Sequence, residues 1–365
     1  MQKPKRTAKI LSIDTSCDET AAAVTEGVKI LSNTIWSQAS LHAKWGGVVP
    51  SLAQREHRKR INWVIEKALK SANTKIGDLD AIAVTTGPGL AIALEVGITK
   101  AKEISQKHKL PFISVNHIEG HLLSPLAKSK NANSLHNIQP TFPALGIVTS
   151  GGHTEIVLIK NIGSYQIIAR TVDDALGESL DKAARLLGFG YPGGAALEKF
   201  AKRGNSRSYN LPIPMLGREK EMLFSYSGLK TAFFRLLSEV KKSKGDLTKN
   251  DLSNLAASFQ LVAFTHFIRV LDFLLKRYKY SVGHILAGGG VMANVTLRKM
   301  LRATAKKYAT KAIFPYSKRL YTDNAAMIGV AAYYKFKQEL FLQPDNLDSI
   351  ERIPGAKVDK PFPWE

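Results

Sequence analysis

His117 and His121 stand four residues apart in His117-Ile118-Glu119-Gly120-His121, directly after the strand-like run Pro111-Phe112-Ile113-Ser114-Val115. On a helix that spacing puts both imidazoles on one face, with Cβ atoms roughly 5–6 Å apart, close enough to share one metal ion. A zinc-protease helix has the same histidine spacing, but its general-base glutamate directly follows the first histidine. Here Glu119 lies about 200° around the helix from both imidazoles and is poorly aimed at a metal-bound water. Solvated surface histidines are the bland alternative. Against it, Gly120 inside a helix costs about 1 kcal/mol relative to alanine, which suggests a close approach at that point. Two histidines also leave a site that wants a third ligand, often a carboxylate. Asp323, in Tyr321-Thr322-Asp323-Asn324, precedes an apolar helix and reads as its N-cap. The same carboxylate would complete a two-histidine, one-carboxylate site with open positions, and both roles can coexist.

Two further turns present hydroxyls and backbone amides: Asp14-Thr15-Ser16-Cys17-Asp18-Glu19-Thr20 and Ser150-Gly151-Gly152-His153-Thr154. Such nests suit phosphate. A third loop, Ala287-Gly288-Gly289-Gly290-Val291-Met292-Ala293-Asn294, follows a strand and lets a ligand approach the backbone, as for a base or ribose. Cys17 is a poor nucleophile, because Asp14, Asp18 and Glu19 nearby disfavour its thiolate. The chain has no Gly-x-x-x-x-Gly-Lys-Ser/Thr loop, which argues against a P-loop NTPase.

These loops need a scaffold with two similar halves. Lys9–Asp14 reads as a strand, followed by a small-polar turn and a second strand over Thr20–Thr25. The pattern recurs at Ala144–Val148 and Thr154–Ile159, so the chain looks internally duplicated, and the loops at the heads of both copies predict one nucleotide in one cleft. Between the copies the spacing predicts a helix over Arg58–Ala72, a buried strand over Ala81–Thr85, the turn Gly87-Pro88-Gly89, and a helix ending near Lys107. The second half reads as more helical: Ala175–Leu187, Ala195–Lys202, Gly228–Lys242, and a long amphipathic run from Leu252 to Tyr278. A strand at His284–Leu286 and a last helix from Asn324 to Glu339 follow. The polar stretch Lys128–Gln139 is the expected connection. We therefore expect an N-terminal lobe over 1–135, completed by the helix 324–339, a C-terminal lobe over 136–342, and an extended tail over 343–365.

At 365 residues and 44% hydrophobic content, two lobes are the expected arrangement. The 52 Lys and Arg exceed the 30 Asp and Glu by 22, an excess that favours a polyanionic partner such as nucleic acid. The basic residues are spread over Arg55–Arg60, Lys241–Lys244 and Arg298–Lys311, which suits a broad face; general solubility is the competing explanation. A single cysteine excludes an intrachain disulfide and a thiolate metal cage and fits a reducing compartment. No apolar run approaches the roughly 18–20 residues of a membrane span, and Met1–Arg6 lacks a secretory apolar segment. A soluble cytoplasmic protein is the expectation, with the mitochondrial matrix as alternative.

The ordered set Ile13–Thr20, Gly46-Gly47-Val48-Val49-Pro50, Gly87-Pro88-Gly89-Leu90, His117–His121, Ser150–Thr154, Tyr191-Pro192-Gly193-Gly194, Ser225-Tyr226-Ser227-Gly228-Leu229-Lys230 and Thr322-Asp323-Asn324 resembles the motifs of the universal tRNA threonylcarbamoyltransferase family. That family is called TsaD in bacteria, and its early members were labelled O-sialoglycoprotein endopeptidases. The resemblance spans roughly residues 8–340. It implies an α/β protein of the actin/Hsp70/sugar-kinase-like fold, two duplicated α/β lobes around a nucleotide cleft. It also implies an acyltransferase that moves a threonylcarbamoyl group from threonylcarbamoyl-adenylate to the N6 amine of the adenosine 3′ of the anticodon in tRNAs reading ANN codons, releasing AMP.

By the same resemblance, His117, His121 and Asp323 are metal ligands and act in catalysis through the metal. Val148, Thr149, Ser150, Gly151 and Gly152 form the substrate-binding loop. Asp181 and Glu198 make ribose or threonyl contacts, Gly194 and Asn294 further nucleotide contacts, and Asp14, Thr15 and Ser16 belong to a phosphate loop. The metal and the Ser150–Gly152 amides are then expected to clamp phosphate and carbamoyl oxygens. The cofactor is one divalent ion, iron or zinc, with Mg accompanying a bound nucleotide. Leu122-Leu123-Ser124-Pro125 resembles the bacterial and mitochondrial branch, which implies either an inactive paralogue (TsaB type) with a small ATPase (TsaE type), or a homodimer. Two departures stand out: Ser51 where many relatives carry Glu, and Tyr226 in place of a frequent Phe. Three other readings compete: a non-catalytic paralogue that scaffolds a complex, a zinc glycoprotein endopeptidase, and an ATP-hydrolysing actin-like protein. Retention of both histidines and Asp323 disfavours the scaffold; the duplicated phosphate loops and missing secretory signal disfavour the peptidase.

Overall fold

The computed structural model describes residues 7–131, 140–190, 192–278 and 282–364. Most of the expected connection at 128–139, and Tyr191 of the Tyr-Pro-Gly-Gly motif, lie outside the described residues. In chain order come β1 Lys9–Asp14, β2 Glu19–Glu26, β3 Lys29–Ser37, α1 Ala39–His42, α2 Pro50–Ser71, β4 Ala81–Gly87, α3 Ala91–His108, β5 Phe112–Asn116, α4 His117–Leu123 and β6 Lys128–Ser129. Then follow β7 Ala144–Thr149, β8 Thr154–Asn161, β9 Ser164–Thr171, α5 Leu176–Leu186, α6 Gly193–Ala201, β10 Leu223–Phe224, α7 Ser227–Lys244, α8 Lys249–Arg277, β11 His284–Gly288, α9 Val295–Lys307, β12 Lys311–Ile313 and α10 Ala325–Lys337.

The chain divides into two units. The first comprises Met1–Pro140, Asn161–Tyr165 and Phe314–Glu365, the second Thr141–Lys160 and Gln166–Ile313. Each holds a six-stranded sheet, in the order β5-β4-β1-β2-β3-β6 in the first and β10-β9-β8-β7-β11-β12 in the second. The repeat is evident in the pairing. In each sheet the leading strand pairs antiparallel with its successor, β1 with β2 and β7 with β8, and parallel with a later strand, β4 and β11 respectively. In β1, β4, β5 and β7 nearly every residue is buried, which is why they read as continuous apolar runs rather than alternations.

Three elements depart from what the sequence pattern alone suggests. Helix α2 starts at Pro50 rather than Arg58, because proline is well suited to the first helical position. Its basic run Arg55–Arg60 is therefore helical throughout. The long α8 is apolar enough over its length to cross a membrane, yet most of its residues are buried, among them Leu255, Phe259, Phe264, Phe267, Leu271 and Leu274, as befits a core helix of the second unit.

The third departure is the C-terminal segment, which crosses the first unit as a strap instead of extending freely. Leu347 and Ile350 enter the same apolar cluster as Ile82, Leu94 and Phe112. The Ile353 amide donates to Thr86 O at 2.8 Å, and Trp364 Nε1 donates to Ser114 Oγ at 2.8 Å. An extended strap buries isolated side chains without periodicity, so pattern reading does not register it. Because Leu347 is 1% exposed, Leu347→Ala should destabilise the protein by about 2–5 kcal/mol in urea unfolding. Asp348→Ala, on the exposed side of the same segment, should change it by less than about 0.5 kcal/mol. Equal small effects would mean that the strap does not pack in solution.

Candidate metal centre and substrate loops

β5 delivers the chain to α4 at Asn116, whose side-chain oxygen accepts the amides of Ile118 at 2.9 Å and Glu119 at 3.4 Å. This N-cap starts the helix at His117, so the four-residue spacing places His117 and His121 together, ring centres 4.7 Å apart and edge to face. Gly120 explains how the third ligand arrives. A Cβ there would stand 2.9 Å from Ile328 Cδ1 and 3.2 Å from Met327 Cγ, so glycine lets α4 lie against α10 without displacing those side chains. The expected N-cap role of Asp323 falls to its neighbour: Asn324 Oδ1 accepts the Met327 amide at 3.1 Å. Asp323 is thereby released towards the histidines, its Oδ1 3.1 Å from His121 Nε2 and 3.4 Å from His117 Nε2. One donor atom from each of the three lies within 4.8 Å of the others.

Burial pulls the His117 imidazole down, but the Asp323 and Asp14 carboxylates outweigh it and hold the group at about 9. His121 moves down, chiefly through burial and then through the neighbouring imidazolium, although its bond to Asp323 opposes this. Asp323 is pushed up by burial and pulled further down by both histidines, ending well below the usual carboxylate range. Two imidazoles and an anionic carboxylate, with no thiolate, form a donor set that fits a divalent transition ion.

Behind His117, Ser16 Oγ lies 3.1 Å and Asp14 Oδ2 3.8 Å from Nδ1, and that Asp14 oxygen is buried with no hydrogen-bond partner. Thr15 Oγ1 donates to Ala93 O at 2.8 Å. The side chains of Asp14, Thr15 and Ser16, expected in a phosphate loop, are thus buried in the first unit. Burial, followed by Asp18, Asp323 and Glu19, raises the Cys17 thiol well above its ordinary value, consistent with no nucleophilic role. Glu119 points away from the triad and accepts from Tyr165 Oη at 2.8 Å.

In the second unit, Val148 and Thr149 end β7 fully buried. The turn that follows is closed by Ser150 N–H to His153 O at 2.8 Å and His153 N–H to Ser150 Oγ at 3.1 Å. Gly151 and Gly152 are exposed, and a Cβ at either would meet open space. Gly289, at φ +92°, packs so tightly that a Cβ would stand 2.4 Å from Thr149 O; the glycine loop therefore leans on the Thr149–Gly152 turn. Asp181 on α5 accepts the Gly194 amide at 2.7 Å, and burial raises its carboxyl despite that bond.

Glu198 on α6 accepts the Val295 amide at 3.0 Å, beside Asn294. Asn294 Oδ1 caps α9 by accepting from Thr296 at 2.9 Å and Leu297 at 3.3 Å, and its Nδ2 donates to Gln260 Oε1 at 2.8 Å. The structure thus pairs Asp181 with Gly194 and Glu198 with the Asn294 loop. It adds Gln260, which no local pattern marks, and it sets Ser16, expected in the phosphate loop, against His117. Asp173 is a further addition. It accepts from Ser227 Oγ at 2.7 Å and the Tyr226 amide at 2.8 Å, and so anchors the Ser225–Lys230 motif. The Tyr226 hydroxyl is buried without a hydrogen-bond partner.

The His117 environment sets a pH dependence for the metal-free protein. Its folded value of about 9 exceeds the unfolded value of about 6.5, so the stabilisation is complete below about pH 6.5 and lost as pH rises through 9. Chelator-treated protein should therefore show a Tm that falls between pH 6.5 and 9.5, and His117→Asn should flatten that fall. A flat wild-type profile would mean that His117 is not charged beside Asp323.

The sequence profile of the tRNA N6-adenosine threonylcarbamoyltransferase family matches residues 29–330. The chain is 43% identical over 371 residues to the tRNA N6-adenosine threonylcarbamoyltransferase of Bartonella tribocorum, with 97% of each chain covered. It is 40% identical over 354 residues to that of Thermosipho africanus, covering 96% of this chain and 99% of the relative. Among solved structures, full-length HypF in its phosphate- and nucleotide-bound form superposes with a TM-score of 0.56 at 15% identity, over 92% of this chain and 47% of that one. Component A of the Acidaminococcus fermentans (R)-2-hydroxyglutaryl-CoA dehydratase superposes with a TM-score of 0.51 at 16% identity, over 90% and 98%. At such identities the likeness is one of fold, and that fold is the actin/Hsp70/sugar-kinase type. By profile match and by relatives aligned along nearly its whole length, the chain belongs to the tRNA N6-adenosine threonylcarbamoyltransferase family.

Proposed function

We propose that this transferase takes threonylcarbamoyl-adenylate as donor and modifies the adenosine 3′ of the anticodon in tRNAs reading ANN codons. The N6 amine attacks the carbamoyl carbon, the bond from that carbon to the phosphate oxygen breaks, AMP leaves with the electron pair, and the amine loses its proton. The observation that carries this reading is the convergence of His117, His121 and Asp323, whose donor atoms lie within 4.8 Å of one another, in a chain of this family. A scaffolding paralogue has no need of such a triad. The peptidase reading is disfavoured by Glu119, whose carboxylate is held by Tyr165 and turned away from the histidines.

In this reading His117, His121 and Asp323 hold one divalent ion, iron or zinc, with Mg accompanying the nucleotide. When bound, that ion would supply positive charge against the leaving phosphate. The exposed amides of Gly151 and Gly152, in the turn that the Ser150 N–H to His153 O bond closes, receive phosphate or carbamoyl oxygens, aided by the rigid Val148–Thr149 strand end. Asp181 and Glu198 bind ribose or threonyl hydroxyls while keeping Gly194 and the Asn294 loop in place. Since a mixed anhydride already carries a good leaving group, orientation and charge stabilisation suffice without a strong base. The protein works with tRNA and with bacterial-type partners, an inactive paralogue (TsaB type) and a small ATPase (TsaE type), or as a homodimer.

Transfer of radiolabelled threonine from threonylcarbamoyl-adenylate to unmodified tRNA tests the proposal, with metal-stripped protein as control. Asp323→Ala should lower transfer by about 100-fold or more while tRNA affinity stays within about twofold. Equal loss of both would make Asp323 a structural residue and remove the metal from the reaction.

A further inference from the structure

Strand β3 is paired on its outer side by β6 only at Lys29 and Ile30. Among the described residues no strand pairs with that side from Leu31 to Ser37. A groove of about 520 Å³ occurs here, lined by Ser32, Asn33, Thr34 and Ile35 of β3, Lys67 and Ser71 of α2, and Arg319. Two cations line it and no carboxylate does. Arg60, Trp63, Lys67 and Ser71 fall within about 80° on the α2 wheel, so one face of the helix accompanies the strand. Along it the Arg60 guanidinium lies 4.9 Å from the Trp36 ring centre, and Lys67 Nζ 4.6 Å from that of Trp63, itself 42% exposed. Arg319 belongs to the turn Lys318–Leu320, just before Asp323. Asn33 Nδ2 donates to Asn324 Oδ1 at 3.4 Å, so the groove wall is tied to the cap of α10 beside that metal ligand.

We infer that this groove seats the phosphodiester backbone of the tRNA, an assignment that rests on the transferase reading above. Lys67 and Arg319 face phosphates, Arg60 extends the same track about two helical turns away, and Trp63 offers a stacking surface for an unpaired base. A peptide added to the free edge is the other chemistry such an edge invites. It would want apolar recesses at alternate positions, whereas Ile35 is the single apolar residue of the lining. Position near Asp323 gives the track a purpose, because backbone held here delivers an adenosine towards the metal ligands.

The test is direct tRNA binding, measured by fluorescence anisotropy from about 50 to 200 mM salt and run beside the transfer assay. The double variant Lys67→Glu/Arg319→Glu should weaken binding at least tenfold. It should also lower the slope of log K against log salt by about two, with KM for tRNA raised and kcat at saturating tRNA within twofold. Lys67→Met/Arg319→Met, which keeps the aliphatic bulk, should move affinity the same way, and thermal melts should match wild type. Arg58→Glu, about 160° around α2 from Arg60, should leave affinity and slope unchanged. Unchanged affinity and slope in both double variants would overturn the assignment, as would lost stimulation by a partner protein at unaltered tRNA affinity. Because binding is read without chemistry, a wild type that binds tRNA with this charge dependence yet transfers nothing would sink the donor reaction and leave the groove standing.

Discussion

A carboxylate lodged between two buried imidazoles is the constraint around which the first unit is arranged. His121 has no solvent exposure and His117 only 6%. Charge in such surroundings is costly unless it is matched at close range. The match here is Asp323, which serves both rings through one oxygen. Holding it there requires several independent devices. Asn116 starts the short α4, Gly120 permits α4 to touch α10, and Asn324 takes the capping duty that would otherwise consume the Asp323 carboxylate. Ser16 then fixes the far nitrogen of His117. A donor set that is anionic on one side and neutral-capable on the other is the arrangement a divalent ion completes.

The second unit solves a different problem, that of presenting backbone amides. Its Ser150–Gly152 turn sits at the end of the buried strand β7 and is closed by two hydrogen bonds, with glycines whose missing side chains leave open space. Neighbouring side chains spend their hydrogen bonds on positioning: Asp181 on Gly194, Glu198 on Val295, Asn294 on its own helix and on Gln260. Rigid strand ends and helix caps fix the turn, and the exposed Gly151 and Gly152 leave its backbone open to an anion. The histidine–carboxylate cluster lies in the first unit, where His117 and His121 follow β5, and the glycine turn lies in the second, after β7.

Much of this was readable from the chain. The β1–β2 and β7–β8 pairs announced themselves because buried strands leave dense apolar runs on either side of a small-polar turn, and the duplication followed from seeing it twice. The neighbouring strands β3 and β9 did not, because β3 mixes Ser, Asn and Thr with its apolar residues and β9 is only partly buried. Helix α9 went unread for a related reason: its apolar stripe is narrow, with Leu297, Leu301 and Ala305 buried among basic residues. The start of α2 hid within a Gly-Gly-Val-Val-Pro motif, and the terminal strap has no period to detect.

For the site, the sequence by itself determined the histidine pair, since a four-residue spacing acts within one helix and needs no fold to bring its members together. It also determined the amide-rich turns, because glycine and small polar residues define such loops locally. Spacing offered Asp323 only as a candidate, singled out by the family resemblance, and it is the packing of α4 on α10 that brings it to the histidines across 202 residues. The tertiary structure alone decided that Asn324 rather than Asp323 caps the helix, and that Ser16 stands behind His117 from 101 residues away. The physical reason is common to all three. Local spacing specifies which groups share a face, but the partner that neutralises a buried charge is selected by close packing between distant elements, and adjacent residues with equal capping chemistry are told apart only by what that packing leaves within reach.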